Sequence, residues 1–289
     1  MFRPIISVPE LLRLIQHGDP GPQENVLVVD CRFSLADPGQ GRREYETDHV
    51  PGAVYAHLDD DLSGPIIPGV TGRHPLPDPA SLAVTLSRLG ISPKTAVVAY
   101  DSGPGAFAAR LWWLLRWVGH PRVAVLDGGY GAWKASGVTE GAPRRPAAAT
   151  SLPYPIRVDP DMTVSVSDVQ NRLKDDSWRL IDAREHERWL GRAEPIDPVA
   201  GRIPRAVSAP WQENLGADGR FKSPLEIKAR FEPLLKNVAV DHTVVYCGSG
   251  VTAAHDLLAL DLAGLPGAKL YPGSWSEWIT DPARPVERG

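Results

Sequence analysis

The sequence predicts an α/β protein made twice over, with two tandem domains that each wrap a small parallel sheet in helices. Three observations carry this expectation. The chain has 289 residues, more than one ordinary domain uses and enough for two cores. Four segments of the first half recur in the same order in the second. Within each half, short β-branched runs alternate with helical patterns, as crossover connections between parallel strands require.

The repeat is read first because it sets the architecture. Val28-Val29-Asp30-Cys31-Arg32 answers to Leu180-Ile181-Asp182-Ala183-Arg184, each an apolar run ending in Asp-x-Arg, as a buried strand does before its loop. His49-Val50-Pro51-Gly52-Ala53-Val54 matches Arg202-Ile203-Pro204-Arg205-Ala206-Val207. Val97-Val98-Ala99-Tyr100-Asp101-Ser102-Gly103 parallels Val244-Val245-Tyr246-Cys247-Gly248-Ser249-Gly250, which sets Asp101 opposite Cys247. Asp127-Gly128-Gly129-Tyr130-Gly131-Ala132-Trp133 matches Pro272-Gly273-Ser274-Trp275-Ser276-Glu277-Trp278. The runs Val26 to Val29 and Val244 to Tyr246 read as strands, and Ala106 to Trp117 and Val251 to Leu262 as helices. Gly141 to Pro155 is rich in Pro and Ala without periodicity and reads as an extended connection. The expected organisation is a first domain over 1–140, a linker over 141–158 and a second domain over 159–289.

Composition narrows the function classes. With 43% apolar and 23% charged residues, and no apolar run near the twenty residues that span a bilayer, membrane insertion is not expected. The first residues, Met1 to Ser7, lack the basic and apolar regions of a secretory signal, so we expect a cytoplasmic protein. A net charge of −4 with scattered basic residues offers no footprint for nucleic acid. The two cysteines, Cys31 and Cys247, lie in different halves; a reduced compartment would leave them free, and no Cys/His spacing suits zinc. No Gly-rich loop followed by Lys implies a nucleotide cofactor.

Cys247 stands at the carboxyl end of a strand-like run, where parallel sheets bind ligands. Gly248-Ser249-Gly250 can wrap its backbone tightly, and a helix starting at Val251 would point free N–H groups back at the loop. Such a cradle favours a thiolate and would hold a persulfide equally well. An isolated cysteine often fills a core instead, and Cys31 is read that way. Trp112, Trp113 and Trp117, on an apolar helix, are also expected in a core, and Trp275 and Trp278 are expected to buttress the loop.

Cys247-Gly248-Ser249-Gly250-Val251-Thr252-Ala253 resembles the active loop of the tandem rhodanese family, the mercaptopyruvate and thiosulfate sulfurtransferases. Supporting segments are Gly72-Arg73-His74-Pro75-Leu76-Pro77, Trp112-Trp113, Gly128 to Trp133, Glu187-Arg188-Trp189-Leu190-Gly191, Lys222-Ser223-Pro224 and Gly273 to Trp278. The resemblance covers nearly the whole chain. It implies two rhodanese-like domains, the first without a nucleophile, which Asp101 fits, and a covalent persulfide on Cys247 in place of any cofactor.

The resemblance also implies roles. The loop Cys247 to Thr252, with Gly248, Gly250, Val251 and Thr252, would cradle the sulfur. Arg188 would bind the donor carboxylate, a guanidinium being the matching fork. The family's second substrate arginine falls at Asp197, a departure, with Arg184 as a helper. Ser249, His74 and Asp61 would relay a proton to the departing enolate, the last two from across the domain interface. Thiosulfate-type loops carry two cations after the cysteine; Gly248 and Ser249 carry none, which points to 3-mercaptopyruvate, with thiosulfate as the alternative donor. The implied partners are that small sulfur donor and an acceptor thiol, such as thioredoxin or glutathione, or cyanide. A rhodanese-like phosphatase would need an arginine where Ala253 stands, and a non-catalytic binding module would not need Cys247.

Overall fold

The structure, a computed structural model, describes residues 2–17, 25–138 and 153–289. Two compact units emerge: Met1–Ser63, Pro77–Asp159 and Ala217–Arg220 form one, and Gly64–Leu76, Pro160–Gly216 and Phe221–Gly289 form the other. The segment Gly64–Leu76, read from sequence as part of the first domain, thus groups with the second unit. Residues 141–152 of the expected linker lie outside the described residues. The remainder packs on the first unit: the buried Tyr154 hydroxyl lies 2.9 Å from His120 Nδ1, and the Arg157 N–H donates to the Val118 carbonyl at 3.1 Å.

The first unit runs β1 (Ile5–Ile6), α1 (Val8–His17), β2 (Val26–Asp30), α2 (Gln40–Thr47), β3 (Val54–Tyr55), α3 (Leu58–Asp61), α4 (Pro79–Arg88), β4 (Ala96–Tyr100), α5 (Ala106–Trp117), β5 (Val123–Leu126) and α6 (Gly129–Ala135). Its sheet is parallel throughout, in the order β1-β5-β4-β2-β3. The central strand β4, Ala-Val-Val-Ala-Tyr, is buried on both faces, the pattern that parallel sheets impose. Helix α5 is apolar almost all round and correspondingly enclosed; Trp112, Trp113 and Trp117 fill core, the last two stacked at 5.8 Å.

The second unit runs α7 (Val166–Arg172), β6 (Arg179–Asp182), α8 (His186–Trp189), β7 (Val207–Ser208), α9 (Pro224–Leu235), β8 (Thr243–Tyr246), α10 (Ala253–Leu262), β9 (Lys269–Leu270) and α11 (Ser274–Trp278). The parallel order β7-β6-β8-β9 repeats that of β3-β2-β4-β5, and a single parallel bridge from Thr163 to Leu270 stands where β1 stands in the first unit. Lys222-Ser223-Pro224 proves to be a helix start. Ser223 and Glu226 form a reciprocal capping box and Pro224 occupies the first turn of α9, a cap worth about 1 kcal/mol.

The duplication extends to individual bonds. In each unit the Asp-x-Arg pair at the strand end folds back on itself, with Arg32 Nη2 to Asp30 and Arg184 Nη2 to Asp182 both at 2.6 Å. Each arginine then donates to a loop carbonyl at 2.7 Å, Asp48 in one unit and Gly201 in the other. The central-strand tyrosines, Tyr100 and Tyr246, accept the Val50 and Ile203 N–H groups at 3.2 Å. Among the described residues, no helix is long and apolar enough to cross a membrane.

Candidate active site

Strand β8 ends at Tyr246 and delivers Cys247 to the carboxyl edge of the second sheet, buried with 1% of its surface exposed. The loop is clamped by the turn that opens α11. The Trp275 N–H donates to the Cys247 carbonyl at 3.0 Å and the Ser276 N–H to the Gly248 carbonyl at 2.9 Å, while the Cys247 N–H donates to Ser274 Oγ at 3.1 Å. Trp275 and Trp278 are fully buried behind it. The Gly250 N–H donates to Cys247 Sγ at 3.1 Å, and Gly250 needs to be glycine: its φ is +77°, and a Cβ would sit 2.3 Å from the Pro272 carbonyl oxygen. Val251 is buried, Thr252 is the N-cap, and α10 begins at Ala253, two residues later than its pattern predicts, with the positive end of its dipole at the loop.

The segment Gly64–Leu76 brings in two side chains. His74 Nδ1 lies 2.8 Å from Ser249 Oγ, both buried. The Arg73 N–H donates to Ser276 Oγ at 3.1 Å, an approach open because a Cβ at Gly72 would lie 2.5 Å from the Gly273 carbonyl oxygen. The Arg73 guanidinium reaches the loop as well: a Cβ at Gly248 would lie 2.9 Å from Arg73 Nη2 and 3.6 Å from Arg188 Nη2. Burial draws Arg73 below the ordinary guanidinium range, with Cys247 pulling the other way, and its Nε is a buried donor with no partner among the described residues.

Carboxylates hold these cations in place. Asp197 bridges them, one oxygen paired with Arg73 Nη1 and the other 3.2 Å from Arg188 Nη2. Glu194 takes Arg188 Nη2 at 2.6 Å and Arg184 Nη1 at 3.2 Å.

The matching loop of the first unit keeps the cradle and fills it with its own anion. The Asp101 carboxylate accepts the N–H groups of Gly103, Gly105, Phe107 and Ala108 at 2.9 to 3.3 Å. The tie between loop and following turn is repeated too, the Tyr130 N–H donating to the Asp101 carbonyl at 2.8 Å.

A family model for the rhodanese-like domain matches residues 7–136 and 165–281, once over each sheet. The chain belongs to the rhodanese family. It is 51% identical over 288 residues to a probable 3-mercaptopyruvate sulfurtransferase of Pseudomonas aeruginosa, covering 98% of this chain and 100% of that protein. A putative thiosulfate sulfurtransferase of Mycobacterium tuberculosis is 40% identical over 99% of this chain and 97% of its own length. Among solved structures, the 3-mercaptopyruvate sulfurtransferase of Escherichia coli is similar with a TM-score of 0.75 at 32% identity, covering 95% of this chain and 100% of that one. The Leishmania major enzyme of that name gives 0.81 at 28% identity, over 96% of this chain and 74% of its own.

Within this rhodanese frame the expected residues divide. Cys247, Gly248, Ser249, Gly250, Val251, Thr252, His74 and Arg188 gather in the second unit. His74, expected from the opposite domain, belongs to the same unit as the loop. Arg184, expected as a helper, is buried, its Nε and both terminal nitrogens already held by Asp182, Glu194 and the Gly201 carbonyl. Asp61, in the first unit, has its carboxylate on the His57 N–H at 2.9 Å and paired with Arg88, which ties the first turn of α3. Cys31, just past the end of β2, is core: burial pushes its thiol well above the usual range, with Asp30 adding to the effect. Sequence reasoning missed Arg73. The signal was its place beside His74 in Gly72-Arg73-His74, together with the missing cation at Asp197.

Proposed function

We propose that the chain is a sulfurtransferase that takes sulfur from 3-mercaptopyruvate onto Cys247 as a persulfide and passes it to a thiol, such as thioredoxin or glutathione, or to cyanide. Sulfurtransferases of this fold act through a cysteine persulfide, with a sulfur donor and a thiol or cyanide acceptor. The observation that carries the assignment to Cys247 is the cradle itself: a strand-end sulfur that accepts the Gly250 N–H at 3.1 Å, beside two guanidiniums.

In the first half-reaction, Cys247 Sγ attacks the donor sulfur. The Sγ–S bond forms, the C–S bond breaks, and the electron pair leaves with the carbon fragment as the enolate of pyruvate. Arg188 and Arg73 would hold the donor carboxylate, Arg73 supplying the second cation that Asp197 does not. A proton reaches the enolate carbon through Ser249 and His74. Asp61, the third member that the family resemblance implies, holds its carboxylate on Arg88 and the His57 N–H, so the relay in this reading runs through Ser249 and His74. In the second half-reaction an acceptor thiolate or cyanide takes the outer sulfur and Cys247 returns as thiolate.

Thiosulfate is the second donor to consider, favoured by relatives that carry its name; the cation-free pair Gly248-Ser249 favours the monoanion. A cytoplasmic setting belongs to this reading, which the two free cysteines suit. Mass spectrometry after mixing with 3-mercaptopyruvate tests it: added sulfur on the peptide bearing Cys247, absent in Cys247→Ser, is the expected result. Full turnover by Cys247→Ser would sink the proposal.

A further inference from the structure

We infer that Asp197 sets the donor preference of the site, holding Arg73 and Arg188 as a charge-balanced pair that accepts a monoanionic donor and disfavours a dianion. The inference rests on the sulfurtransferase reading above. One carboxylate spans both guanidiniums beside the Cys247 loop, paired with Arg73 Nη1 through Oδ1 and 3.2 Å from Arg188 Nη2 through Oδ2. It is buried, with 3% of its side chain exposed, so solvent screens its charge little.

The wall around the loop is neutral by count. Arg73, Arg184 and Arg188 face Asp182, Glu194 and Asp197, each carboxylate within ion-pair distance of at least one guanidinium. A neutral wall still offers forked N–H donors, and Arg73 Nε is buried without a partner among the described residues. A single carboxylate therefore gains hydrogen bonds at modest desolvation cost. A second negative charge on the donor meets no excess positive charge, here or on Gly248 and Ser249, and its desolvation is uncompensated. Arginine at this position, as the family resemblance implies, would change the local charge by two units in favour of dianions. In this chain, Asp197 acts through the two arginines and is a positioning residue.

The test is kcat/KM for 3-mercaptopyruvate and for thiosulfate, each with cyanide as acceptor and at low and high salt, in wild type, Asp197→Asn, Asp197→Ser and Asp197→Glu. Removing the charge should move the donor ratio toward thiosulfate by about tenfold, less at high salt, through the extra charge–charge attraction released. Asp197→Glu, which keeps the charge, should hold the wild-type ratio. An unchanged ratio in both neutral variants overturns the inference, as does an equal loss with both donors, the mark of a merely structural role. Wild type that forms no persulfide with either donor overturns the function reading itself, and this inference with it.

Discussion

His74 Nδ1 and Ser249 Oγ stand 2.8 Å apart across a sequence separation of 175 residues, both buried beside the Cys247 loop. In the proposed reaction the pair serves as a proton path, and its use depends on the donor. Pyruvate leaves as an enolate that must be protonated, whereas sulfite leaves thiosulfate without needing a proton. Ser249→Ala and His74→Gln should each lower kcat with 3-mercaptopyruvate by about 10²-fold, the ordinary scale of general acid catalysis, and change thiosulfate turnover much less. Stopped-flow turnover with both donors checks this; equal losses would remove the pair from the proton path.

Arg184 and Arg188 lie four positions apart and should fail differently. Arg184 is buried against Asp182 and Glu194, so Arg184→Met strands Asp182, leaves Glu194 with Arg188 alone, and should cost about 3–5 kcal/mol in urea unfolding. Its counterpart Arg32, with the same bond to Asp30, should behave alike. Arg188→Met, at a partly open position, should act mainly on KM for 3-mercaptopyruvate.

Asp101 accepts four N–H groups of the loop and helix start. Asp101→Asn turns an amide group toward donors, and the first unit should lose about 2–3 kcal/mol of stability. Persulfide formation at Cys247 should survive in the folded fraction. A loss below about 1 kcal/mol by chemical denaturation would mean the cradle tolerates an amide in place of the carboxylate.

His120 gives a pH signature. Burial pushes its imidazole down to about 4 from 6.5, against the opposing pull of the Arg122 carbonyl, while its Nδ1 faces the Tyr154 hydroxyl. Because the folded form resists protonation, its contribution is fully present above pH 6.5 and fades as pH falls toward 4, where the unfolded chain binds the extra proton. The expected loss across that window is on the order of 2 kcal/mol, and His120→Gln should flatten it. Unfolding midpoints measured at intervals through the window decide it.

Much of the fold was legible because repetition is a property of order along the chain. The paired Asp-x-Arg, Tyr-Asp and Tyr-Cys segments announced two parallel sheets, and each lands on the corresponding strand. Helix α5 was read to the residue because its apolar run is bounded by glycine and its burial matches its composition. The start of α10 was misread by two residues, since Val251 and Thr252 suit a loop that wraps a sulfur as well as a first helical turn.

By itself, the sequence determined the duplicated α/β architecture, the cysteine after the central strand of the second copy and the acid that replaces it in the first copy, since apolar periodicity and residue identity need no partner to be read. Only the tertiary structure decided which arginines face the loop. A guanidinium looks the same in sequence whether it is buried against carboxylates, as Arg184 is, or turned toward the loop, as Arg73 is. Arg73 meets Asp197 across 124 residues, and the segment carrying it joins the second unit by contacts that no local pattern encodes. Charge balance at a site is a sum over residues that the chain keeps apart until it folds.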